Sequence, residues 1–178
     1  MTGAAREHLE GRDKWQDEAA LRGLGAETQF HEVLSRHLST RGVGVTLAPR
    51  PGDLRGIYGV HASGRPHGIR PDAAIYGPKK RAIYVEMKRQ RAAGNAHERA
   101  CKYFTPGILR SGRKIAKQPE EVIPFWWIFT NGIAEDDRYV REITHWFEGA
   151  ERHVLLWQPR SSALLISHFE RNILPLLI

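Results

Sequence analysis

Residues 70–88 read RPDAAIYGPKKRAIYVEMK, and their pattern decides the fold. Arg70 to Tyr76 and Ala82 to Lys88 are two strand-like runs. They flank Gly77-Pro78-Lys79-Lys80, a hairpin-like connection. Folded about a turn near Pro78, the two runs set Asp72 roughly opposite Glu86. Glu86 and Lys88 are two residues apart, so on a strand they share a face. Two carboxylates with a backbone carbonyl make an oxygen-ligand site suited to Mg²⁺. A lysine beside such a site can hold and polarise a water, while the metal lowers that water's pKa and neutralises charge building on a scissile phosphate. Arg89 and Arg91 could add phosphate contacts. The D…ExK triplet alone is a weak signal, because charged strand ends are common. Its setting strengthens it: a charged triad with apolar flanks is costly to keep without a ligand.

Outward from the hairpin, the chain reads as one α/β domain spanning residues 1–178. Asp17 to Leu38 carries Leu21, Leu24, Phe30, Val33, Leu34 and Leu38 near helical spacing, with Arg41-Gly42 closing it. Val43 to Leu47 alternates like a strand. Gly52 to Gly68 holds five glycines and a proline and reads mostly as loop. Asn95 can cap a helix from Ala96 to about Leu109, which Pro106 and Gly107 should bend or end. Ser111 to Glu121 reads as a basic, polar connection. Val122 to Thr130 (VIPFWWIFT) is apolar on both faces, which fits a strand in mid-sheet. Asp136 to Phe147 predicts a helix, His153 to Trp157 a strand, and Ser161 to Leu174 an amphipathic helix stopped by Pro175. The order helix, three strands, helix, strand, helix, strand, helix implies a mixed central sheet flanked by helices.

Composition narrows the class. Of 178 residues, 41% are hydrophobic and 26% charged, which excludes disorder, collagen and coiled coil. The longest apolar run, Val122 to Phe129, is broken by Pro124 and falls short of the roughly 20 residues that a membrane helix needs. The first residues hold no apolar run, so no secretory signal is expected, and Cys101 is the only cysteine, so an intrachain disulfide and a Cys-based zinc cluster are excluded and a reducing, cytoplasmic setting is expected. The net charge of +7 is uneven. Lys79 to Lys117 holds 12 Lys/Arg against Glu86 and Glu98, while the remainder has 15 basic and 18 acidic residues. A basic middle on a slightly acidic remainder suggests a localised polyanion-binding surface.

Four residues after Lys88 begins AAGNAHER, Ala92 to Arg99, followed by Lys102. Gly94 allows close backbone approach to DNA. Asn95 can pair bidentately with adenine N6 and N7, Glu98 can accept from exocyclic amines, and Arg99 can donate to N7 or O6. The same residues also suit a plain capping box, with Asn95 at the N-cap and Glu98 at N3. Pro71-Asp72…Glu86-x-Lys88 resembles the PD-(D/E)xK nuclease motif. The AAGNAxER stretch in register with it resembles the recognition segment of the EcoRI/MunI-like branch of type II restriction endonucleases. The likeness is strong over about Pro71 to Tyr103 and rests on element order beyond that.

The resemblance implies a restriction-endonuclease-like αβββαβ core and a homodimer. It also implies Mg²⁺-dependent hydrolysis of both strands of double-stranded DNA at a short palindrome, with a cognate DNA methyltransferase in the same system. It implies Asp72 and Glu86 as metal ligands, the Met87 carbonyl as a third, and Lys88 as the water-positioning lysine. Within a recognition segment placed at 91–110, it sets Asn95, Ala96, Glu98 and Arg99 at base edges in the major groove, with Gly94 among the DNA-binding residues. An AATT centre is expected, with the outer pair open between G·C and C·G, and Arg91 and Lys102 as candidates for reading it. Two other functions compete: a structure-specific or repair nuclease with the same core, and a DNA-binding module without catalysis.

Remaining candidates read more blandly. Glu27 and Glu32 on the first helix are expected to face solvent, although an acidic residue there approaches the metal in many nucleases of this fold. The nine histidines form no HxxxH or HExxH pair, which argues against a zinc hydrolase. His61, His67 and His97 suit polar contacts rather than metal ligation. Trp126 and Trp127 could stack on bases, but their apolar strand favours the core. Leu164, Leu165, Ile166, Phe169, Ile173 and Leu174 suit either a dimer interface or the core.

Overall fold

The structure is a computed structural model that describes residues 25–90 and 94–178. Helix α1 occupies residues 25–41, and its Ala26, Phe30, Leu34 and Leu38 make a buried stripe at four-residue spacing. The expected start of this helix at Asp17, with Leu21 and Leu24, lies outside the described residues. Strand β1 is Thr46–Pro49, later than the 43–47 expected. Gly42 and Gly44 sit at φ +63° and +67°, which keeps the chain before Val45 out of strand geometry.

Strands β2 (Ala73–Tyr76) and β3 (Ala82–Arg89) form the anticipated antiparallel hairpin, with Ala73 opposite Val85. Strand β4 (Phe125–Thr130) pairs parallel with β3, and β5 (Val154–Trp157) pairs parallel with β4. The sheet order is β1-β2-β3-β4-β5. Every residue of β4 is buried, as a central strand covered on both faces requires. Trp126 and Trp127 are therefore core residues on opposite faces, closed off from any base.

Period-two alternation sorts the strands between two cores. Ile83, Val85, Trp126 and Ile128 pack with α1 and the C-terminal segment. Ala82, Tyr84, Phe125, Trp127 and Phe129 pack with Tyr103, Ile108, Tyr139 and Ile143 on the other face. Pro106–Ala116 forms helix α2 ahead of β4. Helices α3 (Gly132–Glu135) and α4 (Asp137–Trp146) follow β4, and the Asp136 carboxylate caps α4 by accepting from the Arg138 amide.

The segment after Asn95 departs from expectation. Instead of one helix to Leu109, a 3₁₀ helix runs Glu98–Phe104 and α2 begins two residues later. Pro106 stops the first and starts the second, because its missing N–H costs nothing at a first helical position. The 111–121 stretch is consequently helical as far as Ala116. Gly112 looks like a breaker in sequence, but it lies on the buried stripe Ile108, Gly112, Ala116. A Cβ there would stand 3.1 Å from the Pro124 ring and 3.2 Å from that of Phe125, so the glycine permits close packing on β4.

At the C-terminus the expected single helix is three pieces: α5 (Ser162–His168), a wide π turn at Phe169–Ile173 and a 3₁₀ turn at Leu174–Leu176. Leu165, Phe169, Ile173 and Leu174 are buried in the core, whereas Leu164 is exposed. No helix among the described residues is long and apolar enough to cross a membrane.

Candidate active site and base-reading segment

Asp72 lies one residue before β2 and continues its ladder. Its N–H donates to the Val85 carbonyl at 3.0 Å, and its own carbonyl accepts from the Arg50 amide at 3.0 Å. The side chain is fixed as well: Oδ2 accepts from the Met87 N–H at 2.7 Å. Glu86 is buried in the same sheet, next along β3. Lys88 Nζ pairs with Glu86 Oε1 and also donates to the Met87 carbonyl at 3.1 Å. The three side chains picked out by their spacing thus meet at one corner of the sheet, as the strand register requires.

Burial pushes the Glu86 carboxyl up to about 7, and Asp72 pushes it the same way, while Lys88 pulls against both. Its Oε2 is buried and makes no geometric hydrogen bond within the described protein. The Tyr103 hydroxyl faces this carboxylate, and burial followed by the Glu86 charge holds that phenol well above its usual range. A buried carboxylate oxygen beside a second carboxylate is what a hard cation satisfies. Asp72, Glu86 and the Met87 carbonyl make an oxygen donor set of the kind that would suit a hard divalent cation, with Lys88 Nζ beside it. Among the described residues no group of three or more His, Cys, Asp or Glu side chains is placed to hold a metal ion, so a cation at this corner would rely on the Met87 carbonyl besides the two carboxylates.

Glu27 corrects the expectation of a solvent-facing residue. It is half-buried, and its carboxyl is raised by burial and then by Asp72, with Arg50 and Lys88 opposing. Its neighbour one turn on, His31, is lowered by burial and also feels Asp72 and Arg50. Helix α1 thus points Glu27 at the carboxylate corner, while Glu32 is exposed as expected. Spacing alone cannot reveal this, because Glu27 and Glu32 differ only in which side of α1 meets the sheet.

Residues 94–99 are the segment that the sequence offers for reading bases. Asn95, Glu98 and Arg99 are exposed, Ala96 is half-buried, and His97 and Ala100 are buried. The expected capping box is not formed: the helix opens at Glu98 with His97 at its N-cap and no side-chain cap. Asn95 and Glu98 are left with their side chains toward solvent. Arg91 lies outside the described residues, and Lys102 is exposed with its Nζ 4.8 Å from the Tyr103 ring centroid. The buried positions His97, Ala100 and Tyr103 recur every three residues, the period of a 3₁₀ helix and not of an α-helix. That spacing is the signal in the sequence that could have found His97 as an inward residue.

His61 and His67 stack at 4.4 Å in the exposed 52–68 loop, away from any ligand set among the described residues. His97 makes the polar contact expected of it, but in the interior. It is 1% exposed, and its Nε2 lies 2.6 Å from Glu142 Oε2.

A mixed five-stranded sheet flanked by helices, with two carboxylates and a lysine at one corner, has a restriction-endonuclease-like fold. The family model for type II restriction enzyme MunI matches residues 4–178. The Mycoplasma protein named type II restriction enzyme MunI is 32% identical over 94% of this chain and 96% of its own length. A crystal structure of MunI restriction endonuclease in complex with cognate DNA superposes with a TM-score of 0.76 and 30% identity, covering 92% of this chain and 97% of that one. The chain belongs to the MunI family of type II restriction enzymes.

Proposed function

We propose that the protein is a type II site-specific deoxyribonuclease, a single nuclease domain acting as a homodimer on double-stranded DNA. It hydrolyses phosphodiesters in both strands of a palindrome centred on AATT, with Mg²⁺ as cofactor. The observation that carries this reading is the pairing, in one chain, of a corner made of buried Glu86 and half-buried Asp72 and Lys88 with an outward Asn95–Glu98–Arg99 segment shortly after it. Neither a repair nuclease nor a DNA-binding module without catalysis needs both.

Asp72 and Glu86, with the Met87 carbonyl, would hold the ion. Magnesium when bound neutralises charge on the scissile phosphate and makes water more acidic. Lys88 Nζ holds the attacking water in line with phosphorus, whose bond to the leaving alcohol oxygen breaks as the new one forms. Asn95 and Glu98 suit the N6 donor and N7 acceptor of adenines, Arg99 adds a donor to N7, and Ala96 leaves room for a thymine methyl. A two-fold dimer presents the set twice and so reads a self-complementary tetrad. Gly94 lets the backbone come close to the bases, and Lys102 and Arg91 are the candidates for reading the outer pair. Such an enzyme works in the cytoplasm beside a methyltransferase that protects the same sequence.

Plasmid digestion with Mg²⁺ and with EDTA tests the reading, followed by sequencing of the cut ends. Discrete bands with AATT-centred ends support it. Smears or cutting only at branched DNA indicate a structure-specific nuclease, and intact DNA with a gel shift indicates a binding module.

A further inference from the structure

The base-reading segment has no regular hydrogen-bonded ladder beneath it, so side chains must set its position. Gln90, just past β3, accepts from the Ala96 amide at 2.8 Å and donates through Nε2 to the Tyr139 hydroxyl at 2.9 Å. Gly94 lies flush on the Gln90 side-chain amide, for a Cβ there would come within 2.7 Å of it. His97 reaches the other way, into α4. Its ring stacks on Trp146 at 5.2 Å, meets Tyr139 edge-on at 4.5 Å, and lies 2.6 Å from Glu142. A carboxylate can only accept, so His97 Nε2 carries the hydrogen.

This imidazole is an expensive choice for a packing residue. It is fully buried, and its Nδ1 has no hydrogen-bond partner within the described protein. A leucine would fill the same space without a polar penalty. What leucine could not do is hold a fixed point on α4. The Glu142 side chain is 35% exposed and contributes little to the core, so its role here is the bond to His97.

We propose that the His97–Glu142 pair is a positioning clamp for base discrimination. It holds Asn95, Glu98 and Arg99 at one height above the DNA while their own side chains stay free to read. Ala96 and Glu98 adjoin His97 on either side, so a shift of His97 displaces the readers directly. Bidentate base contacts tolerate only small errors in placement. The proposal rests on the nuclease reading above.

The test uses the full chain and two duplexes, one with the cognate site and one with a single central base pair changed. Initial rates give the ratio of kcat/KM between them for wild type, Glu142→Ala, Glu142→Gln and His97→Leu, beside each variant's thermal unfolding midpoint. Glu142→Ala is expected to lower the ratio about tenfold, the scale of one hydrogen bond to a charged group. KM for cognate DNA rises and kcat stays near wild type, because Glu86 and Lys88 are untouched. Glu142→Gln keeps an acceptor and restores most of the ratio. An unchanged ratio in Glu142→Ala overturns the clamp, whatever happens to the melting point, and this variant carries the test even if His97→Leu does not fold. Wild type that leaves DNA intact removes the nuclease reading and the clamp with it. Wild type that cuts selectively beside an equally selective Glu142→Ala removes the clamp alone.

Discussion

Asp72, Glu86 and Lys88 stand on hydrogen-bonded strands, whereas Asn95, Glu98 and Arg99 stand on a segment tied down by the side chains of Gln90 and His97. The first region inherits its geometry from a ladder: Glu86 lies on a strand paired on one side with β2 and on the other with the fully buried β4, where its partner is Trp127. The second region has two tethers and an exposed face. On the proposed assignment, chemistry that fails with small errors in geometry sits on the stiffest element. Reading is placed where a few contacts can retune it. Substitutions in the strand corner should abolish cutting everywhere, and substitutions in the segment should change where cutting occurs.

The largest expected effect comes from the corner. Asp72→Ala or Glu86→Ala removes a proposed ligand worth several kcal/mol of transition-state stabilisation, so cleavage should fall by ~10³-fold or more. Sequence-specific binding, measured by gel shift, should survive. Lys88→Ala should slow single-turnover cleavage by about 10²–10⁴-fold and leave metal binding, followed by calorimetry, largely intact. Cutting at near the wild-type rate by any of the three would place the chemistry elsewhere.

The segment gives the next effect. Asn95→Ala or Arg99→Ala loses about 1–3 kcal/mol per half-site, and two half-sites double it, so cognate cleavage should collapse toward the non-cognate rate. Mapping cut sites in a random library decides this, and a consensus without AATT at its centre would falsify the assignment of these readers.

A third effect isolates the sheet from the segment. His153, at the foot of β5, is buried with Nδ1 donating to the Phe125 carbonyl at 2.8 Å, and burial lowers its pKa to about 4 from its ordinary 6.5. Between those values the unfolded chain binds the extra proton and the folded chain does not. Stability is therefore full above pH 6.5 and falls as the pH drops toward 4, by on the order of 2–3 kcal/mol from this group. Burial lowers His168 in the same direction. Denaturant midpoints from pH 7 to pH 4 should show the fall, and His153→Gln should flatten it; an unaltered slope in that variant would locate the titration in other groups.

Smallest of all, Lys114→Ala on the exposed face of α2 should weaken every DNA alike. If Lys114 touches a phosphate, the slope of log K against log salt changes by about 0.9. A change in sequence preference on that substitution would contradict the division between the two regions.

The carboxylate–lysine corner is legible in the residue order alone because strands are local rulers. A period of two and a short turn suffice to set Asp72 across from Glu86 and Lys88 beside it. The central, doubly covered strand is equally plain from residues 125–130, since only burial on both faces explains so continuous an apolar run. The element order follows from the same patterns. Tertiary structure decides the rest. Pro106, read in the sequence as a place where a helix bends or ends, opens α2, and Gly112 lets that helix touch Phe125, because the neighbouring strand and not the local propensity sets the spacing there. Glu27 faces the corner only because α1 lies on the sheet with that side inward. His97 becomes an anchor only when α4, far along the chain, brings Glu142 to it. Backbone periodicity is written in neighbouring residues. Pairing between a buried polar group and its distant partner depends on packing that no single stretch of chain contains.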